Sequence, residues 1–286
     1  RGRVMGIWAT CYQVGGVGAT LLASWTLGKF GFQYSFFAGS LVMFGVMAFF
    51  AFNHRNQPED IGLSLDQTDV AVEPPAPKSI RERFAELGWD FNTKLTIAIV
   101  GVYYFFGKFI RYALWTWVPY FLYNNYELSG EDSGYMSTLF DLFGIAGVIS
   151  AGWISDKLLK SRRTGVSILF LIGMFISSIA LYTLGQNNLF IFGVCISLIG
   201  FFLYGPDALM TGAAAQDIGN ERGATLSAGL INGIGAFGGV AQAPIIGRMY
   251  DSSGGDVGPI FMLLVASAFA AALCLFILRV SKLSDV

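Results

Sequence analysis

The chain has 286 residues, 54% of them hydrophobic and 13% charged, and its 18 basic and 19 acidic side chains leave a net charge of −1. Soluble domains carry about 25% charged residues, so the composition excludes an ordinary soluble globule. The net charge says nothing about partners, because the placement of charge carries the information, and no nucleic-acid partner is expected. Long stretches are almost free of charge, and the chain reads as an all-α, polytopic membrane helical bundle with the lipid bilayer as its main partner.

Taken in chain order, the apolar runs predict spans over Val4–Leu27 and Phe32–Phe52. A hydrophilic stretch follows from residue 53 to residue 94, holding a proline-rich piece (Glu73 to Pro77). Its last part places Ile80, Phe84 and Leu87 on one helical face, away from Arg81, Glu82 and Glu86, as in a short amphipathic helix on a membrane surface. Six further spans are predicted over Leu95–Tyr123, Gly134–Ile154, Gly165–Leu184, Leu189–Thr211, Ala224–Ile246 and Gly258–Leu278. The chain thus divides into a two-span piece (1–52), a linker (53–94) and a six-span bundle (95–286). Six spans after a long linker is the layout of one half of a two-bundle transporter. The chain opens Arg1-Gly2-Arg3-Val4, without an initiator methionine or signal-peptide layout, and is expected to be part of a longer protein.

Basic residues orient the spans. One set of loops and ends holds 14 of the 18, among them Arg55, Lys78, Arg81, Arg83, Lys160, Arg162 and Arg163; the opposite set holds only Lys29 and Arg248. The linker and both ends of the chain are therefore expected on the cytoplasmic side. The three cysteines (Cys11, Cys195 and Cys274) have neither metal-ligand nor disulfide spacing and are expected as small core residues. His54 ends a span beside Arg55 and reads as a residue of the membrane interface. No nucleophile–base or metal constellation appears, so neither an enzyme nor a cofactor is expected.

Four charges are placed deep in the spans: Lys108, Arg111, Asp141 and Asp207. A cation at membrane depth costs about 2.5–3.5 kcal/mol on the insertion scale, so it survives mainly beside a cavity, a counter-ion or an anionic ligand. Lys108 and Arg111, three apart, lie on one helical face and repel each other unless something negative joins them. Mutual neutralisation of all four explains their presence, and so does an anion site whose cations the carboxylates hold until substrate arrives. Arg111 is the leading candidate, because a guanidinium stays charged when desolvated and its planar fork matches carboxylate and phosphate oxygens. Tyr104 and Trp115 share its side of the helix and are the expected liners among nine nearby aromatics. The Gly205-Pro206 pair within the sixth span loosens a helix where alternating access needs bending. The segment after the fourth span, with Gly152, Asp156, Lys157, Arg162 and Arg163, could form a charge cluster between helices at the membrane edge.

That segment, Gly152-Trp153-Ile154-Ser155-Asp156-Lys157, resembles the loop signature of the major facilitator superfamily. RGRVMGIWATCYQVGG, NQPEDIGL, IRYALWTWVPYFL and GFFLYGPDALMTGAAA further resemble its organophosphate:phosphate antiporter branch. The resemblance covers essentially the whole chain, read as the fifth to twelfth helices of a twelve-helix fold, so about eight of twelve spans. It implies a monomeric exchanger in a bacterial-type inner membrane that trades an organic phosphate ester for inorganic phosphate. Arg111 matches the second-half arginine that grips the phosphoryl group, Asp141 the acid of the eighth helix, and Tyr204 the tyrosine before Gly-Pro. Family transporters commonly carry a W-N-x-x-H-N-x-G-G pattern in the fifth helix; here Tyr12 and Gln13 stand in the corresponding stretch, and Tyr12 can hydrogen-bond phosphate without becoming cationic. Lys108 and Asp207 depart from the family pattern and point to a substrate with its own amine or a second anionic group. The branch also includes sugar-phosphate receptors, and carboxylate transporters of the same superfamily would use Arg111 equally well.

Overall fold

The computed structural model describes residues 10–55, 62, 87–157 and 163–281. These residues form eight α-helices: α1 (Cys11–Phe30), α2 (Phe32–Asn53), α3 (Phe91–Asn125), α4 (Gly130–Lys157), α5 (Arg163–Leu184), α6 (Leu189–Ala208), α7 (Ala215–Ser252) and α8 (Gly258–Val280). Seven, α2 to α8, are long and apolar enough to cross a membrane. The exception, α1, is rich in polar positions: Gln13, Ser24 and Thr26 are buried along it. The predicted amphipathic helix lies outside the described residues except for Leu87.

Local chemistry sets the helix ends. A single residue, Gly31, separates α1 from α2 at φ 90°, a conformation that side-chain-bearing residues rarely adopt. Asp90 caps α3 by accepting from the Thr93 amide at 2.8 Å, and Asn188 caps α6 by accepting from Ile191 at 3.1 Å. The end of α6 departs from regular geometry. Pro206 has no N–H to continue the ladder, the α-helix ends two residues later at Ala208, and Leu209–Ala214 form a π-helical segment. Such wide turns recur at functional sites.

Helical backbone continues from that segment into α7, but the chain reverses there. The Ser227 hydroxyl donates to the Ala215 carbonyl, twelve residues earlier, which a straight helix would place about 18 Å away. Gly219 and Gly223 make the reversal possible: a Cβ on Gly219 would lie 2.8 Å from the Ala224 backbone, and one on Gly223 would lie 2.6 Å from the Trp89 ring. The sequence-predicted spans Leu189–Thr211 and Ala224–Ile246 therefore extend to Leu189–Gly219 and Gly223–Ser252.

Packing follows the small residues, because apolar helices in lipid gain most from close backbone approach. Helix α3 lies along α7, with Gly238 against the Phe105 carbonyl and Gly101 against Ile234. Helix α4 lies along α6 through reciprocal contacts, Gly147 on the Phe201 carbonyl and Gly200 on the Phe140 carbonyl. Helix α5 packs on α6 and α8, and α8 closes back onto α3. Val100, Ile110, Leu122, Met174, Ile196 and Phe261 fill the interior. Helix α1 joins this bundle along α4, while α2 packs on α1 and buries none of its residues. Of the cysteines, Cys195 is buried and Cys274 half-buried, but Cys11 is exposed, so the core expectation is corrected there. His54 is exposed and stacks on Phe50 with ring centroids 4.2 Å apart.

Candidate functional site

The intramembrane charges sit where α3, α4, α6 and α7 face one another. Arg111 on α3 donates through Nη1 to Asp207 Oδ2 on α6 at 2.9 Å, and the side chains are 16% and 15% exposed. The guanidinium carbon also lies over the Tyr204 ring, 4.6 Å from its centroid, a cation–π contact. Gly205 fixes this part of α6: a Cβ there would be 2.7 Å from Ala151 and 2.8 Å from Phe170, so the backbone sits directly against α4 and α5. Asp207 follows two residues later and thereby reaches α3.

Asp141, 3% exposed, does not hold the cations as its placement in the sequence suggests. One of its oxygens accepts from the Tyr204 hydroxyl and the other from Trp115 Nε1 at 2.9 Å. Both donors are neutral. Asp207 is the carboxylate on Arg111, because α6 carries it past Pro206 to the α3 side. Asp141 instead points toward α1, where a Cβ on Gly16 would stand 3.4 Å from Oδ2 and 3.3 Å from the Trp115 ring. Trp115 thus fixes Asp141 and packs at the α1 contact.

Lys108 takes a third arrangement. Its Nζ donates to Asn232 Oδ1 of α7 at 2.7 Å and lies 4.9 Å from the centre of the Tyr104 ring. Tyr104 is buried with its ring on Gly235, where a Cβ would be only 2.4 Å away. That close approach seats the ring on α7 and brings Lys108 within reach of Asn232. Sequence reading missed Asn232; its signal is a lone amide in the glycine-rich apolar run from Gly229 to Gly239.

Three buried polar atoms in this region have no hydrogen-bond partner among the described residues: Arg111 Nε, Asp207 Oδ1 and Gln13 Oε1. Each such group costs about 1–3 kcal/mol, and a ligand offering matching groups would recover that. Gln13 is buried against the bundle, whereas Tyr12 is 69% exposed and lies outside the cluster. Consecutive helix positions differ by about 100°, so only one of the two can join the α4-facing stripe of Gln13, Gly16 and Ser24.

The segment after α4 is only partly described. Arg162 and the side chain of Asp156 lie outside the described residues. A Cβ on Gly152 would meet none of the described residues within 4 Å, and Lys157 lies over the Trp153 ring at 5.3 Å. Arg163 forms an ion pair with Asp217 of α7 at 2.6 Å. With Asp217 about half exposed, such a pair contributes at most about 1 kcal/mol. Asp217→Asn is therefore expected to shift the thermal unfolding midpoint in detergent only slightly; a loss of several kcal/mol would show that the pair fastens α5 to α7.

Comparison with known proteins agrees with this architecture. Residues 1–228 match the model of the Major Facilitator Superfamily. The chain is 31% identical to a putative glycerol-3-phosphate transporter 5 of Arabidopsis thaliana, covering 99% of this chain and 62% of that protein. It is 28% identical to the glycerol-3-phosphate transporter of Bacillus subtilis, over 95% of this chain and 62% of the relative. It is 24% identical to a probable hexose phosphate transport protein of Chlamydia pneumoniae, over 97% of this chain and 63% of the relative. The chain therefore spans about three fifths of the length of these relatives. On the family match and the helical fold, this chain belongs to the major facilitator superfamily of membrane transporters, and the relatives it resembles are glycerol-3-phosphate and sugar-phosphate transporters.

Proposed function

We propose that the protein is a secondary transporter that exchanges an organic phosphate ester for inorganic phosphate by alternating access, with Arg111 binding the phosphoryl group. The observation that carries this reading is the state of that guanidinium. Nη1 is engaged by Asp207, while Nε is buried without a partner among the described residues. A phosphoryl oxygen would satisfy Nε, and charge-assisted bonds to a guanidinium edge are about twice as strong as neutral ones.

The ion pair also gives the site a resting state. With substrate absent, Asp207 neutralises Arg111; an arriving phosphate competes for the same guanidinium and releases the carboxylate, which stands just before the π-helical segment. Asp141, held by Tyr204 and Trp115, ties α4 to α6 and α3 and so links the site to the helices that must move. In this reading α1 and α2 belong to the first bundle and α3 to α8 to the second. The loop charges orient the linker and both chain ends toward the cytoplasm of a bacterial-type inner membrane, and the transporter works as a monomer.

Reconstitution tests the reading. The intact protein in phosphate-loaded liposomes is expected to take up labelled inorganic phosphate, with competition by unlabelled glycerol 3-phosphate or hexose phosphate. Uptake without any competition by phosphate esters, or no phosphate exchange at all, would overturn it.

A further inference from the structure

The structure separates the two cations that the sequence presents as a pair. The central charges among the described residues are Lys108, Arg111, Asp141 and Asp207. Asp207 is on Arg111, and Asp141 is filled by the Tyr204 hydroxyl and the Trp115 indole N–H. The direct contacts of Lys108 are thereby neutral, the Asn232 amide oxygen at 2.7 Å and the Tyr104 ring face at 4.9 Å, and Asp207 and Arg111 act on it only at longer range and with opposite sign. An ammonium has three donors, and these two contacts do not balance its charge. Its side chain is only half-buried, so the remaining donors can be reached.

We infer that Lys108 and Asn232 form a second subsite, which takes a carboxylate carried by the same substrate molecule whose phosphoryl group occupies Arg111. The inference rests on the phosphate-exchange reading above and specifies its substrate class. Three helical residues separate the two cations, a rise of about 4.5 Å, which suits a phosphoryl and a carboxyl group joined through a two-carbon chain. Asn232, with its oxygen turned to Lys108, presents its two N–H donors to the site, which suit an anion. An amine-bearing substrate fits less well, because the acid it would need, Asp207, is engaged by Arg111. A plain polyol phosphate would leave Lys108 without an anionic contact in a site where desolvation strengthens that penalty.

The test uses a matched pair with the same three-carbon backbone, 3-phosphoglycerate and glycerol 3-phosphate, which differ in a carboxylate against a hydroxymethyl group. Each competes against labelled phosphate exchange by the intact protein in liposomes. The wild-type protein is expected to bind 3-phosphoglycerate at least about tenfold more tightly. Lys108→Met and Asn232→Asp should each reduce that ratio by about tenfold or more, the latter by placing a carboxylate beside Lys108 without changing side-chain size. Lys108→Arg should keep it within about threefold. If phosphate exchanges but the wild type shows no preference, or if the preference survives in both Lys108→Met and Asn232→Asp, the second subsite is wrong while the phosphate reading stands. Loss of all phosphate exchange in the wild type overturns both. Asn232→Asp, being isosteric, keeps the test decisive should Lys108→Met fail to fold.

Discussion

Replacing Arg111 with alanine in the intact protein is expected to cut phosphate exchange in liposomes by at least about a hundredfold. Hydrogen bonds to a charged group contribute about 1.5–3 kcal/mol each, so losing two removes a factor of roughly 10² to 10⁴. The same change leaves Asp207 buried without its counter-ion, and breaking a buried pair in this way costs about 3–5 kcal/mol of stability. Loss of transport alone would therefore not separate binding from folding. Two further variants do. Arg111→Ala combined with Asp207→Ala removes the orphaned carboxylate and should recover much of the thermal stability in detergent without recovering exchange. Arg111→Lys keeps a charge but not the planar fork, and should fold while showing an apparent KM for phosphate raised about tenfold or more. Wild-type exchange in a folded Arg111→Ala protein would remove this residue from the site.

The second large effect is expected at the α4–α6 contact. A Cβ on Gly200 would sit 2.1 Å from the Phe140 carbonyl oxygen, and one on Gly147 would sit 2.0 Å from the Phe201 carbonyl oxygen. Backbone atoms cannot swing aside as a side chain can, so even alanine forces the helices apart. Overpacking typically costs about 1–3 kcal/mol, and valine at either position should exceed that range. The functional cost follows from what the two helices carry. Asp141 on α4 and Tyr204 on α6 share a hydrogen bond next to Arg111, and a separation of about 1 Å breaks it. Gly147→Ala and Gly200→Ala are thus expected to lower the thermal midpoint and to weaken exchange together. Gly152→Ala is the internal control: nothing among the described residues lies within 4 Å of its Cβ position, and alanine is favoured over glycine in a helix by roughly 1 kcal/mol. Its midpoint should stay level or rise. A similar loss at all three glycines would show that steric contact is not the cause.

Much of this molecule is written in its sequence. Apolar runs of membrane length predict helices in the right order, because in lipid each backbone polar group must be satisfied within its own segment. Lys108, Arg111, Asp141 and Asp207 are conspicuous for the same reason, since an ionised group in that setting must have a cause. Gly205-Pro206 is also legible as a place where the helix is loosened, although α-helix continues through it to Ala208 and the π-helical segment begins only at Leu209. The helix boundaries are less so: α4 and α7 run past the predicted span ends, because polar residues such as Glu131 and Ser252 can remain helical at the edge of the bundle.

Spacing along one helix decides which residues share a face of that helix, and nothing more. It placed Lys108 beside Arg111, but it could not say which of two mid-span acids each cation meets, because that depends on the rotation and axial offset of separate helices. The π-helical end of α6, and the glycines that bring backbones into contact, set those offsets. They bring Asp207 onto Arg111, leave Asp141 to Tyr204 and Trp115, and carry Asn232 from a glycine-rich stretch to Lys108. The sequence by itself therefore determined a polytopic helical transporter with charges at its centre. Only the tertiary structure decided which charges are paired and which one contacts neutral groups alone, because pairing across helices is a property of packing.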